Sequence, residues 1–553
     1  MYKADMKRRI AIGTEDFECI RVNHWFYADK TSLIREWWQQ GDRVTLITRP
    51  RRFGKTLNMS MLNCFFSLRY AGRKDLFEDL KVWGCEEMRK LQGTFPVVFL
   101  SFADVKPTSF PEAMEHVSMI LEDLYLEYEW MLQDSMFSSR DRSCFYSVRG
   151  DMGPQTAAGA IERLCGWIER YYGKKVLLLL DEYDTPVQEA YARGFGDEMA
   201  DFMRQLFWST LEVNPSLERA VLTGIMVQEA LVGSVNHVEA VTVTSSRYAA
   251  SFGFTGAEVA SALSEQGYPE EALQTVFAWY DGYTFGHMKP ILNPWDVTMF
   301  LKQGKPETYW TDTGGSGLIS GLLQRSSAGI KRQLGVLLGG GTIGVTIDAL
   351  VTPGRISFDE QALWSLLLFT GYLKLAGKAP EKPGTYELAL TSFEVSVAIR
   401  RMVKAWFDED SSFEHMERAM LRGSELDMNR YLHRVLETAY SGFDAGMDGS
   451  ETERFFLAAV LRLMVDLDGT YEVRIGPETG CGRCDVVMLP ASSPDPAVIL
   501  AFRTVAAGEE IMEDTAIKAL RETRDLLKDG QTAGSAFRYG LVFRGKECLI
   551  RKG

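Results

Sequence analysis

The stretch "LITRPRRFGKTLNMS", Leu46–Ser60, decides how the first half of this chain is read. It contains Gly54, Lys55 and Thr56 in the order a triphosphate-binding loop requires. In the pattern G-x-x-x-x-G-K-S/T, consecutive backbone N–H groups and a helix N-terminus converge on the phosphates. The glycine admits close backbone approach, the lysine sits on the β/γ-phosphates and the hydroxyl ligates Mg2+. Here Arg49 stands where the first glycine belongs. Because "GKT" alone recurs by chance, its flanks have to carry the reading.

Those flanks read strand, loop, helix. "RVTLITRP" (Arg43–Pro50) is an apolar strand, and "KTLNMSMLNCFFSL" sets Leu57, Met61, Cys64 and Phe65 at helical spacing. Three more apolar runs follow: "FPVVFLSFADV" (Phe95–Val105), "KKVLLLLDEYD" (Lys174–Asp184) and "RAVLTGIM" (Arg219–Met226). Continuous apolar strands separated by helical stretches predict a parallel sheet covered on both faces, here across residues 10–230. "VLLLLDEYD" also carries chemistry. Asp181 at the end of a buried strand is placed to hold Mg2+, and Glu182 to orient and polarise an attacking water. Thr223, ending another apolar strand, is the candidate sensor of the γ-phosphate, although a Thr–Gly pair also ends strands for turn reasons alone.

The rest of the chain is less explicit. Residues 250–400 read as mainly helical, for example "FDEQALWSLLLFTGYLKL" (Phe358–Leu375), with Gly and Pro clusters marking loops. After a polar helical stretch, "GFDAGMDGSETE" (Gly442–Glu453) reads as a boundary. The last hundred residues return to mixed α/β. Helices are predicted at Thr452–Val465 and Ile511–Leu527, and strands at Tyr471–Ile475, Asp485–Leu489, Ala497–Phe502 and Arg538–Phe543.

Composition bounds the function. At 553 residues the chain exceeds one compact core, and 46% hydrophobic with 25% charged residues is the balance of a globular protein. No run approaches the roughly 18 apolar residues that span a bilayer. The N-terminus lacks a secretory h-region, so a cytoplasmic location without membrane contact is expected. A net charge of −14 argues against a surface coated in positive potential for DNA, while leaving room for a local basic groove. The eight cysteines are scattered, which suits reduced thiols. "CGRC" (Cys481–Cys484) has metal-ligand spacing, but no second pair accompanies it, so packing or turn cysteines are the expectation over zinc. The six histidines show no paired metal spacing.

Taken in order, "FYADKTSLI" (Phe26–Ile34), "LITRPRRFGKTLNMSML" (Leu46–Leu62), "LLLLDEYDTPV" (Leu177–Val187), "FGFT" (Phe252–Thr255), "WYDGYTFG" (Trp279–Gly286), "NPWDV" (Asn293–Val297) and "SLLLFTGYL" (Ser365–Leu373) form a series. Together they closely resemble the bacterial and archaeal AAA-ATPase-like proteins that carry a C-terminal domain of the PD-(D/E)xK nuclease superfamily. The resemblance covers nearly the whole chain. It implies an α/β P-loop NTPase core with a parallel sheet at 1–235, a helical, winged-helix-like lid at 236–400 and a helical linker at 401–440. A small restriction-endonuclease-like α/β domain is then expected at 441–553. ATP and Mg2+ are the implied cofactors, with a nucleic acid or a protein as partner of the C-terminal domain; oligomeric state is left open.

In that family the loop runs R-P-R-R-F-G-K-T, so Arg49 is its family form. The resemblance implies nucleotide contacts from Arg49, Pro50, Arg51, Arg52, Phe53, Gly54, Lys55, Thr56 and Leu57. Tyr27, Asp29, Lys30 and Thr31 match an N-terminal motif that it places beside the nucleotide. For Arg51 and Arg52 two readings stand, surface charges or contacts to phosphate or an acidic partner; three arginines around one loop favour an anion. The chain departs from the family where it reads "TGIMVQEALVGS" (Thr223–Ser234), with Val227 where an arginine is usual. If that arginine reads the γ-phosphate, hydrolysis here is weak.

A second departure lies in the C-terminal part. Nucleases of this superfamily hold Mg2+ with carboxylates on adjacent strands and position water with a lysine. Gly482, Arg483 and Asp485 match, as does the helix glutamate Glu453, but Ala501 stands for the second carboxylate and Arg503 for the lysine. Ala519 stands for a glutamine. Arginine keeps the charge and does not exchange a proton. A nuclease-like module without cleavage is expected, the alternative being a carboxylate migrated to Glu509 or Glu510. Three functions follow: an ATP-hydrolysing switch with a non-cutting recognition domain, an ATP-regulated metal-dependent nuclease, or a non-hydrolysing nucleotide-binding scaffold.

Overall fold

Five short parallel strands organise the first half of the chain: β1 (Val44–Thr48), β2 (Val97–Ser101), β3 (Val176–Asp181), β4 (Leu217–Gly224) and β5 (Val238–Val241). They lie in the order β2-β3-β4-β1-β5, with every pairing parallel. β1 and β3 are buried along their whole length, which explains their unbroken apolar sequence. Alternate residues serve opposite faces. Val44, Leu46, Leu178, Leu180, Ala220 and Leu222 join one core cluster with side chains of the helices Phe110–Leu126, Ala160–Tyr172 and Gly196–Phe207. Ile47, Leu177, Leu179 and Val221 are equally buried and point to the other side of the pleat.

The structure is a computed structural model that describes residues 7–313, 316–348, 350, 359–377, 382, 384–407, 411–439, 449–476, 483–492, 495–505, 511–523, 536–545 and 547–553. The chain divides into two compact units. One comprises 1–310 with 344–393, the other 311–343 with 394–553. The first unit holds the parallel sheet and a second, antiparallel one: β6 (Phe254–Thr255), β7 (Asp281–Phe285) and β8 (Met288–Leu292), in the order β6-β8-β7. β9 (Ile343–Thr346), β10 (Leu373–Leu375) and β11 (Thr385–Leu390) form a third, ordered β10-β11-β9.

The mainly helical reading of 250–400 therefore needs correction at "WYDGYTFG". Its helix ends at Tyr280 and the chain turns into the β7–β8 hairpin, too short for the sequence period to register. The helix of "FDEQALWSLLLFTGYLKL" runs over Glu360–Thr370 and stops at the left-handed Gly371, after which Leu373–Leu375 is strand.

In the second unit the helix Gly449–Asp466 precedes β12 (Tyr471–Ile475), β13 (Arg483–Pro490) and β14 (Ala497–Thr504). The helix Met512–Glu522 then leads to β15 (Ala536–Arg544) and β16 (Glu547–Lys552). The strands lie in sequence order; β14 and β15 pair in parallel and the other neighbours antiparallel. Phe456 of the helix stacks on Phe502 of β14 with centroids 4.3 Å apart, fixing helix on sheet. Among the described residues no helix is long and apolar enough to cross a membrane.

Candidate nucleotide site

The loop between β1 and the helix Lys55–Phe66 turns through left-handed backbone at Arg52 (φ 67°) and Gly54 (φ 74°). A Cβ at Gly54 would meet nothing within 4 Å, so its conformation rather than lack of space calls for glycine. Arg49 lies outside the left-handed region. Its backbone needs no glycine, and its side chain is put to other use. The guanidinium is fully buried, donating to the carbonyls of Thr48 (2.8 Å), Val241 (3.3 Å) and Arg247 (3.3 Å). It also lies over the rings of Phe285 and Phe252, at 4.7 and 5.5 Å. Burial pushes its pKa down, as it does for any cation moved out of water.

The remaining loop residues are braced from one side. Phe53 is buried edge-on against Tyr283 (4.8 Å) and Phe285 (5.3 Å), and Trp310 Nε1 donates to the Arg51 carbonyl at 3.2 Å. Pro50 packs so close to Gly371 that a Cβ there would come within 3.0 Å of its ring. Arg51 and Arg52 are exposed, and Arg52 lies 4.5 Å over Trp295. Leu57 is half-buried in the first turn of the helix.

The strand order sets β4 between β1 and β3, so the ends of three strands meet below the loop. Thr56 Oγ1 donates to Asp181 Oδ2 at 2.7 Å, and Thr223 Oγ1 donates to Asp181 Oδ1. Burial, aided by the charge of Glu182, pushes the Asp181 carboxyl up against these two hydrogen bonds and Lys55. Lys55 Nζ is buried and donates to the carbonyls of Arg49 (3.3 Å) and Pro50 (3.2 Å), with Glu182 Oε1 at 3.5 Å. Burial favours the neutral form of Glu182, but Lys55, the Thr185 hydroxyl and Arg51 outweigh it and the net shift is downward. An ammonium, two hydroxyls and two carboxylates thus share one strand-end cleft, suited to a polyanion carrying a divalent cation.

The carboxylates of the second unit are partnered differently. Asp485 lies opposite Ala501 in the β13–β14 register. Arg503 Nη1 donates to Asp485 at 2.7 Å and to the Phe502 carbonyl at 2.7 Å, and its Nη2 donates to Glu522 at 2.8 Å. Glu453 forms a close ion pair with Arg332. Ala501 and Ala519 are buried. Cys481, Gly482, Glu509 and Glu510 lie outside the described residues.

Residues 11–230 match the family model described as predicted AAA-ATPase. The chain is also 26% identical over 400 residues to an uncharacterized protein in the vnfD 5' region of Azotobacter chroococcum mcd 1, covering 71% of this chain and 69% of that one.

Within the matched stretch 11–230, Lys55, Thr56, Asp181, Glu182 and Thr223 come together, while Tyr27 and Asp29 do not join them. The Tyr27 hydroxyl meets Met61 Sδ at 3.2 Å, farther along the helix. Asp29 accepts from Thr31 N (2.9 Å) and from Lys81 N (2.8 Å), and Lys30 pairs with Glu258 at 2.6 Å. These contacts anchor the N-terminal segment. Three participants were not foreseen. Glu15 is exposed near the cleft, its carboxyl pushed up by partial desolvation and by Asp181. Gly224 and Asp184 meet behind Glu182, with a Cβ at Gly224 only 2.6 Å from Asp184 Oδ1. The last aspartate of "DEYD" signals that role only once β4 is known to lie alongside.

Proposed function

We propose that the protein binds ATP and hydrolyses it with Mg2+, and that its C-terminal nuclease-like module recognises a nucleic acid or a protein partner without cutting it. The observation that carries the first half is the meeting of Lys55, Thr56, Asp181 and Glu182 in one cleft at the phosphate-loop helix. Lys55 rests on loop carbonyls and Glu182, weak partners that phosphate oxygens replace. Thr56 and Asp181 supply the oxygen donors that would hold Mg2+, whose chemistry is to neutralise phosphate charge. Glu182, kept ionised by Lys55, orients the attacking water. Phe53 is wedged against Tyr283 and Phe285, so a change in the loop on nucleotide binding would be felt at the β7–β8 hairpin, the route a switch would use.

The second half rests on ion pairing. A metal-dependent nuclease needs carboxylates free to take a cation. Asp485 is bound to Arg503, Glu453 to Arg332, and the position opposite Asp485 is alanine. The guanidinium of Arg503 bridges Asp485 and Glu522, so it already offsets part of the charge a metal would neutralise and occupies the carboxylate oxygens that would hold it.

Mg2+-ATP turnover of the full chain, compared with Glu182→Gln, tests the first half. The expected loss is about 10³-fold, about 4 kcal/mol in the barrier; turnover independent of Glu182 would refute hydrolysis at this site and leave the scaffold. Linear and nicked DNA or RNA incubated with Mg2+ or Mn2+ should stay intact. Cleavage that disappears in Asp485→Asn would establish the nuclease instead.

A further inference from the structure

We infer that Asp184 and Tyr183 form a clamp that fixes the exit of β4 against the Glu182 turn, making Asp184 a positioning residue for the hydrolytic glutamate; this rests on the ATPase reading above. Glu182 is held at φ 52°, a left-handed conformation that a non-glycine residue keeps only where its surroundings impose it. The surroundings here are five hydrogen bonds between two segments. Tyr183 N donates to the Thr223 carbonyl (3.0 Å), and the Tyr183 hydroxyl donates to the Met226 carbonyl (2.9 Å) and accepts from Gln228 N (3.0 Å). Asp184 Oδ2 accepts from Ile225 N (2.9 Å) and Met226 N (3.2 Å). A further donor, Gln188 Nε2, reaches the same oxygen at 2.6 Å from the following helix.

Asp184 is fully buried, and among the described residues no lysine or arginine forms an ion pair with it. A carboxyl group buried there without a cation is costly unless hydrogen-bond donors meet its oxygens, and two backbone N–H groups meet Oδ2. Its other oxygen, Oδ1, has no hydrogen-bond partner among the described residues and presses on Gly224. A Cβ at Gly224 would stand 2.6 Å from Asp184 Oδ1 and 2.7 Å from the Tyr183 ring, so glycine follows Thr223 because the clamp closes there. The clamp thereby sets both ends of the reaction cleft. Through Thr223 it touches Asp181, and through the backbone it fixes where Glu182 points.

The geometry requires an acceptor at Oδ2 and not a charge. Asp184→Asn can keep the acceptor and place its amide where Oδ1 lies, whereas Asp184→Ala removes it. In the full chain, Asp184→Ala should lower kcat by about ten- to a hundredfold while leaving the Kd of a fluorescent ATP analogue within about threefold of wild type. Gly224→Ala should do the same, and Asp184→Asn should retain turnover. Amide hydrogen exchange at Ile225 and Met226 should accelerate in Asp184→Ala and stay protected in Asp184→Asn, whether or not ATP is turned over. Unchanged exchange in Asp184→Ala overturns the clamp. Unchanged kcat in that variant, or a loss in Asp184→Asn equal to that in Asp184→Ala with protection intact, overturns the positioning role. Absence of turnover in the wild type refutes the ATPase reading alone, because the exchange measurement still decides the clamp.

Discussion

Two sets of carboxylates in this molecule have met opposite fates. In the first unit Asp181 and Glu182 are satisfied by hydroxyls and by one lysine at 3.5 Å, partners that a phosphate and a divalent cation can displace. In the second, Asp485 and Glu522 are bridged by Arg503 at 2.7 and 2.8 Å, and Glu453 is paired with Arg332. Both sets are largely buried, so neither sign of charge nor burial separates them. The partner does. A lysine ammonium is a mobile point charge on a flexible stem, while a guanidinium holds two carboxylates at once in a fixed fork.

Three measurements bear on that contrast. The largest effect is expected at Arg503. Arg503→Met removes the guanidinium that bridges Asp485 and Glu522, and denaturant unfolding should register a loss of about 3–5 kcal/mol; a neutral result would mean the bridge is ornamental and the contrast false. Next comes Lys55. Lys55→Met should weaken ATP binding by about a hundredfold, or about 2.7 kcal/mol by calorimetry, with little change in melting temperature. A large fall in stability without a change in affinity would make Lys55 a structural cation like Arg503.

The smallest effect is a pH dependence at Asp184. Burial first, then the charge of Glu182, push its carboxyl up to about 7, against the pull of the Ile225 and Met226 amides. Between the ordinary carboxylate value and 7 the folded chain holds this proton and the unfolded chain does not. The group's stabilisation is therefore complete at low pH and is lost as pH rises through 7. Relative to Asp184→Asn, the wild type should lose about 2 kcal/mol between pH 5.5 and 7. A constant difference across that range would show that Asp184 is ionised throughout.

Much of the fold is legible in the sequence for a plain reason. Buried parallel strands such as Val44–Thr48 and Val176–Asp181 are unbroken apolar runs, and the glycine, lysine and threonine that follow β1 stand in a fixed local order. The hairpin β7–β8 is not legible in the sequence because five residues of strand are too few to outweigh the helix before them. β5 and β16, four and six residues long, are likewise too short to stand out by period.

By itself the sequence determined which residues carry chemistry and in what order: a phosphate loop at Gly54–Thr56, an acidic strand end at Asp181–Glu182, and an arginine and an alanine at Arg503 and Ala501. These are properties of side chains and of local backbone, and they survive without knowledge of neighbours. Only the tertiary structure decided what each group faces. Arg49 turns from the loop into carbonyls and aromatic rings, Asp184 closes on Gly224, and Arg503 reaches two carboxylates 18 and 19 residues away in sequence. Strand order brings those partners together, and it depends on how whole elements pack, which no local spacing encodes.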